Sequence, residues 1–346
     1  MCWVLINSAP GRRLLLPDLT SSRASRLPAD GTIEAACFHA GTVTAMEIPL
    51  PRVRRFAVST QTFRRLALVS AVMLVVIVAS GATVRLTGSG LGCEHWPGCQ
   101  AGDPFPDTGY HSYVEFSNRI VATFAILATL ATFLASFRVP SIKRWVKWVA
   151  GGAFLGTFLQ APLGAITVYY HLNPYLVGTH FLLSIVVLSL GVLVALEAWN
   201  IRGEPVSLGM RRLAAVAGTA CGVLLVTGTM TTAAGPHSGG QKVARVWSFQ
   251  PAVWLHVRAT AVFGLTFLAL VIWLSWRQSK HLRGALVLLG LLVAQMTVGE
   301  IQYRTHLPLG VVLVHVTLAA LVWVAVVVVV AGMWRPVDAR ATNRMP

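Results

Sequence analysis

QAPLGAITVYYHLNPYLVGTH, residues 160–180, returns as QMTVGEIQYRTHLPLGVVLVH at residues 295–315. At a constant offset of 135, Gln160 falls on Gln295, Gly164 on Gly299, His171 on His306, Leu172 on Leu307 and His180 on His315. Both copies leave one apolar run, pass a short polar turn holding Pro174 or Pro308, and enter the next run. A Gln, a Gly and two His kept in register over 21 residues mark a tandem duplication. Each half therefore places a histidine just inside an apolar segment.

The surroundings of the repeat set the class of protein. The chain has 346 residues, 55% hydrophobic and only 12% charged, the composition of a polytopic membrane protein. A net charge of +16 would suit a nucleic-acid binder if the basic residues shared a soluble face. They lie instead in short loops, so membrane lipid and not nucleic acid is the expected neighbour. Eight apolar runs, near 66–84, 118–137, 147–169, 177–199, 210–232, 253–275, 283–303 and 309–333, each suffice for the roughly 20 residues a spanning helix needs.

Charge alternates from loop to loop. Arg52, Arg54, Arg55, Arg64 and Arg65 precede the first span, and Arg138, Lys143, Arg144 and Lys147 follow the second. Arg202, Arg211 and Arg212 follow the fourth, Arg277, Lys280 and Arg283 the sixth, and Arg335, Arg340 and Arg344 the eighth. Positive loops stay inside, so both termini are expected in the cytoplasm of a multi-pass cell-membrane protein. Helices 2, 4, 6 and 8 then run from the outer face inward. Residues 1–62, rich in Arg, Ser, Pro and Ala, read as a disordered cytoplasmic tail, and 335–346 as a second tail. The apolar run near Val4 is too short for a signal peptide, and Met46 is an alternative start.

A weaker echo extends the duplication. GATVRLTGSGLG from Gly81 overlies GTMTTAAGPHSG from Gly228 at an offset of 147, so the first outer loop carries extra residues, among them Cys93 and Cys99. Five cysteines are too few for a disulfide scaffold, and of these only Cys93 and Cys99 are close enough to be a pair. The expected fold is all-α: eight transmembrane helices as two tandem four-helix bundles, 63–200 and 201–334. The two are related by an axis along the membrane normal.

His180, His256 and His315 fall near the outer ends of helices 4, 6 and 8, with Glu115, Asn118 and Arg119 level with them at the start of helix 2. Polar groups in the hydrocarbon are costly and usually face a bundle interior, where they pair or bind something. Interhelical hydrogen bonding is the plainer reading of any one of them. Two imidazoles on facing helices, His256 and His315, are also how a haem iron is held. Zinc would want three or four ligands, and carboxylates or thiolates do not cluster there.

GATVRLTGSGLGCEHWPGC from Gly81, EFSNR at 115–119, GxITVxxxLNPxxVxxHFLLS from Gly164, TGTMTTAAGPHSG from Thr227 and QxxxGxxQYxTxLP from Gln295 together resemble the haem A synthase family. The resemblance covers residues from about 64 to 334. It implies oxidation of the C8 methyl of haem O to a formyl group through two hydroxylations and loss of water. It implies haem b between His256 and His315 in the second half. In the first half it implies the substrate haem O near His180, with Glu115 at the family's essential glutamate. The helix 2 histidine of the family is Asn118 here, a poor iron ligand, which leaves the substrate iron to His180 alone or to a water held by Asn118. Glu115 would then serve as acid or base near the methyl, against the plainer role of a helix N-terminal acid.

The family also carries a cysteine pair in this loop, which implies a Cys93–Cys99 disulfide, a staple or a redox relay, in an oxidising compartment. Arg85, Arg119, Arg258 and Arg304, at the outer helix ends, are candidate partners of haem propionates, with snorkelling as the alternative. His171 and His306 sit in outer turns and suit covering a haem edge better than ligation. Haem O synthase and terminal oxidase assembly factors are the partners the resemblance suggests. An electron-transfer haem b cytochrome is the rival reading. It would more naturally carry paired histidines in both halves. A transporter would show ionisable groups nearer mid-membrane.

Overall fold

A computed structural model describes residues 32–39, 42–49, 57–96, 98–106, 109–236 and 245–334. Most of the expected N-terminal tail and all of the C-terminal one lie outside them. Within the former, β1 (Thr32–His39) and β2 (Thr42–Pro49) form an antiparallel hairpin, with Thr32 opposite Pro49 and His39 opposite Thr42. The sequence reading assigned no element there.

Among the described residues eight helices form the membrane unit: α1 (Thr60–Leu86), α2 (Tyr110–Ser136), α3 (Arg144–Tyr169), α4 (Pro174–Ala198), α5 (Leu208–Ala234), α6 (Phe249–Trp276), α7 (Leu282–Arg304) and α8 (Leu309–Trp334). All are long and apolar enough to cross a bilayer. Their starts carry ordinary helix signals. Ser59 caps α1 through the Thr62 amide, Ser207 caps α5 through the Met210 amide, and Asn173 followed by Pro174 opens α4. Several helices outrun the apolar stretch. In particular α2 begins at Tyr110, so Glu115, Asn118 and Arg119 lie inside it and not at its start. The first turn of α2 holds no acidic residue, so Glu115 is not a dipole-stabilised terminal acid.

Burial carries the duplication through every helix. At an offset of 147, buried Phe63, Ala67, Ser70 and Leu74 of α1 fall on buried Met210, Ala214, Ala217 and Cys221 of α5. At 135, Ala150, Ala153 and Thr157 of α3 fall on Ala285, Leu288 and Leu292 of α7. Ile185, Val187, Gly191, Val194 and Ala198 of α4 likewise fall on Ala320, Val322, Val326, Val329 and Met333 of α8. The α2–α6 register, which the motifs left open, is 138: Ala125, Thr129, Thr132 and Ser136 fall on Phe263, Phe267, Leu270 and Leu274.

The turns repeat as closely. His171 and Leu172, at φ 53° and 58°, match His306 and Leu307, at 61° and 62°. Each turn is closed by the same backbone bond, Leu172 N–H to Thr167 O at 2.8 Å and Leu307 N–H to Gln302 O at 2.7 Å. The repeated histidines thus occupy left-handed turn positions, exposed to the surroundings.

The halves meet as a two-fold pair: α1 packs on α8, α5 on α4, and α4 on α8 at the centre. The Trp323 indole N–H donates to Ser189 Oγ across that centre at 2.8 Å. At the end away from His180, His256 and His315, Glu204 Oε1 accepts from Ser279 Oγ at 2.5 Å and from the Lys280 amide at 2.8 Å, tying the α4–α5 loop to the α6–α7 turn.

Candidate haem site

The second half is built around two imidazoles. His256 of α6 and His315 of α8 face each other with ring centroids 6.5 Å apart and planes at 70°. An imidazole nitrogen bonds a first-row metal at about 2 Å and lies roughly 1 Å from its ring centre, so two on one iron would stand about 6 Å apart. Each ring rests against a glycine of the preceding helix. A Cβ on Gly228 would come 3.1 Å from His256 Cε1, and one on Gly299 would come 3.1 Å from His315 Cε1. The two glycines make room for the rings, and a larger residue would push them toward each other.

Polar neighbours orient the rings. Thr227 Oγ1 donates to Leu224 O at 2.9 Å and lies 3.2 Å from His256 Nδ1. Its proton being spent on the carbonyl, the hydroxyl accepts from Nδ1–H and leaves the Nε2 lone pair of His256 free. This is the arrangement of a metal-ligating histidine held by its other nitrogen. Gln295 Nε2 lies 3.1 Å from His315 Nε2, while His315 Nδ1 and Gln295 Oε1 are buried without a partner among the described residues. Among the described residues no cluster of three His, Cys, Asp or Glu could hold a bare metal ion. Two facing imidazoles in a cradle of glycines fit a haem iron and not zinc.

In the first half His180 takes the place of His315. Gly164 faces its Cε1 at 3.8 Å from the position of a Cβ. Gln160, the counterpart of Gln295, bonds His180 O at 3.1 Å and Ser184 Oγ at 2.9 Å instead of the ring, and His180 Nδ1 is buried without a partner among the described residues. On α2 the counterpart of His256 is Asn118, whose Oδ1 is buried and likewise unpartnered among the described residues.

Glu115 is committed to the loop. Its Oε2 accepts from the amides of Gly92 at 2.8 Å and Cys93 at 2.9 Å, and its Oε1 from Arg119 Nη2 at 2.6 Å. Arg119 also donates to the carbonyls of His95 and Gly98. Ser112 Oγ donates to Gly92 O at 2.7 Å. The Cys93–Cys99 disulfide is formed, within the segment that Glu115 and Arg119 hold down. Three of the roughly four acceptor sites of the carboxylate are thus engaged, two of them by the loop.

The arginines sort by surroundings. Arg258 stacks on the Trp254 ring at 3.0 Å and Arg304 pairs with Glu300 at 2.5 Å, both exposed. Arg85 Nε alone of these is buried without a partner among the described residues. Gly81, Gly164, Gly228 and Gly299 were legible only as repeat markers. The place of the last three against His180, His256 and His315, and the contacts of Thr227 and Gln295, emerge from the packing.

The family model described as cytochrome oxidase assembly protein matches residues 64–111 and 105–327. A protein of Symbiobacterium thermophilum named heme A synthase is 26% identical over 287 residues, 76% of this chain and 92% of that one. One of that name from Listeria welshimeri is 25% identical over 263 residues, 70% of this chain and 86% of its own length. A third, from Bacillus pumilus, is 30% identical over 135 residues, where the match spans 38% of this chain and 44% of that protein. On the extent of the family match, the chain belongs to the COX15-CtaA family of cytochrome oxidase assembly proteins.

Proposed function

We propose that this chain is a membrane oxidoreductase that makes haem A, oxidising the C8 methyl of haem O to a formyl group. The observation that carries the reading is the pair His256 and His315 at iron-bridging separation in a chain of this family. Relatives named heme A synthase align with most of its length.

The resident cofactor is haem b in the second half, which supplies a redox centre beside the substrate. His256 and His315 hold it, Thr227 fixes the His256 tautomer, and Gly228 and Gly299 leave the rings their room. The first half receives haem O, with His180 as its protein ligand and Asn118 across from it. Arg85, whose Nε is buried without a partner among the described residues, is the propionate partner. Glu115 and Arg119 position the disulfide loop at the mouth of this half. The basic loops put both termini in the cytoplasm and the ligand histidines toward the outer face. Haem O synthase, upstream, and the assembly of terminal oxidases, downstream, are the fitting partners.

Haem extraction and chromatography of the protein purified from cells supplying haem O test this directly. Haem A alongside haem b is the expected result. Haem b with unaltered haem O would leave an electron-transfer cytochrome, and no haem at all would return the three histidines to structural roles.

A further inference from the structure

The two halves differ at one ligand position, and the difference leaves room. On α1 the buried stripe runs Phe63, Ala67, Ser70, Leu74 and Val78, and Gly81 continues it at helical spacing. On α5 the same stripe leads to Gly228, against which the His256 ring packs. Gly81 is therefore turned inward as Gly228 is, yet a Cβ built on it would meet nothing within 4 Å. The α2–α6 register of 138, set by four matched buried positions, puts Asn118 where His256 stands. Ser80 occupies the place of Thr227, and Gly164 and His180 those of Gly299 and His315. Three of four ligand positions thus have a glycine facing an imidazole, and the fourth has a glycine facing a gap. Asn118, which the register sets opposite that glycine, carries a buried carbonyl oxygen with no partner among the described residues.

We propose that the first half is a single-histidine haem site whose open side, between Gly81 and Asn118, is a pocket for a small neutral ligand of water or diatomic size. This rests on the functional reading above. An amide is too weak a ligand to replace imidazole on iron, and an unmet acceptor beside free space is what a small polar guest requires. The second half, with an imidazole from each side, has no such place. The duplication has kept one half as a closed redox site and opened the other toward small molecules.

Carbon monoxide tests the asymmetry through its absorption spectrum, independently of turnover. The full-length protein is loaded with haem until both halves are filled, reduced, and exposed to the gas. One CO adduct per chain is expected. Asn118→His should abolish it with haem content unchanged, the new imidazole finding Gly81 in front of it and Ser80 placed as Thr227 is for His256. Gly81→Leu, which fills the gap from α1 without adding a ligand, should abolish it too. Two filled halves with no CO adduct would overturn the open pocket and leave the functional reading standing, as would an adduct that survives both substitutions. Failure of the first half to take up haem would defeat the functional reading itself, and the pocket with it.

Discussion

Replacing Glu115 with Ala separates two roles for this carboxylate. The Gly92 amide has a second acceptor, Ser89 O at 3.1 Å, but the Cys93 amide has only Glu115 Oε2 at 2.9 Å among the described residues. Cys93 is 4% exposed and Glu115 5% exposed, so water does not readily take the place of the carboxylate. A hydrogen bond to a charged group contributes about 1.5–3 kcal/mol, so the loss should be near 2–3 kcal/mol of local stability. At about 1.4 kcal/mol per decade this is a roughly 30- to 150-fold rise in loop opening. Ser112 and Arg119 still hold Gly92 O and His95 O, so the opening is local and the helices keep their melting temperature. Hydrogen exchange followed by mass spectrometry on a peptide spanning Gly92 and Cys93 reads it. Glu115→Gln, which keeps one carbonyl oxygen for the amides, should fall between wild type and Glu115→Ala. Wild-type exchange in Glu115→Ala together with lost haem A formation would refute the positioning role and restore the acid/base one.

Two further perturbations probe packing and pH. Gly156→Ala would place a Cβ 2.5 Å from Cγ2 of Val187, a stiff β-branched side chain at the α3–α4 crossing, and should cost about 1–3 kcal/mol. Gly264→Ala on α6 meets nothing within 4 Å and should gain up to about 1 kcal/mol from helix propensity, so thermal melts of the two should move oppositely. The Glu204 carboxyl is held below its ordinary 4.5 by the hydrogen bond from Ser279, with help from Lys280 and His281. A depressed folded value means that its stabilising contribution is present above 4.5 and is lost as pH falls through the lower folded value. The melting difference between wild type and Glu204→Gln should therefore shrink on acidification from pH 6, and a constant difference would exclude the link.

Helix number, the duplication and the placing of three histidines near helix ends were readable because each is a pattern along the chain. A spanning segment announces itself by length and hydropathy, and a repeat by identical residues at one offset. The helix ends were less so: polar turns such as 110–117 extend α2 beyond its apolar run, where hydropathy gives no signal. The contacts of Glu115 were hidden for a related reason. Its partners are backbone amides 22 and 23 residues away, and no side-chain pattern records where a loop's N–H groups will point. The arginines at the helix ends read alike until packing gave Arg258 a ring, Arg304 a carboxylate and Arg119 a loop, and left Arg85 Nε with no partner among the described residues.

By itself the sequence determined a membrane protein of two like halves with histidines near one face, since burial in lipid imposes composition and duplication preserves identity. Only the tertiary structure decided which groups meet. It brought His256 to His315 across α6 and α8 and gave their rings glycines to lean on. It set α2 in register with α6, and it gave Glu115 Oε2 to the amides of the disulfide loop and Oε1 to Arg119. Those outcomes depend on the rotation of each helix about its axis and on the path of a connecting loop. Both are set by how side chains from distant segments pack, and neither is written in any one segment.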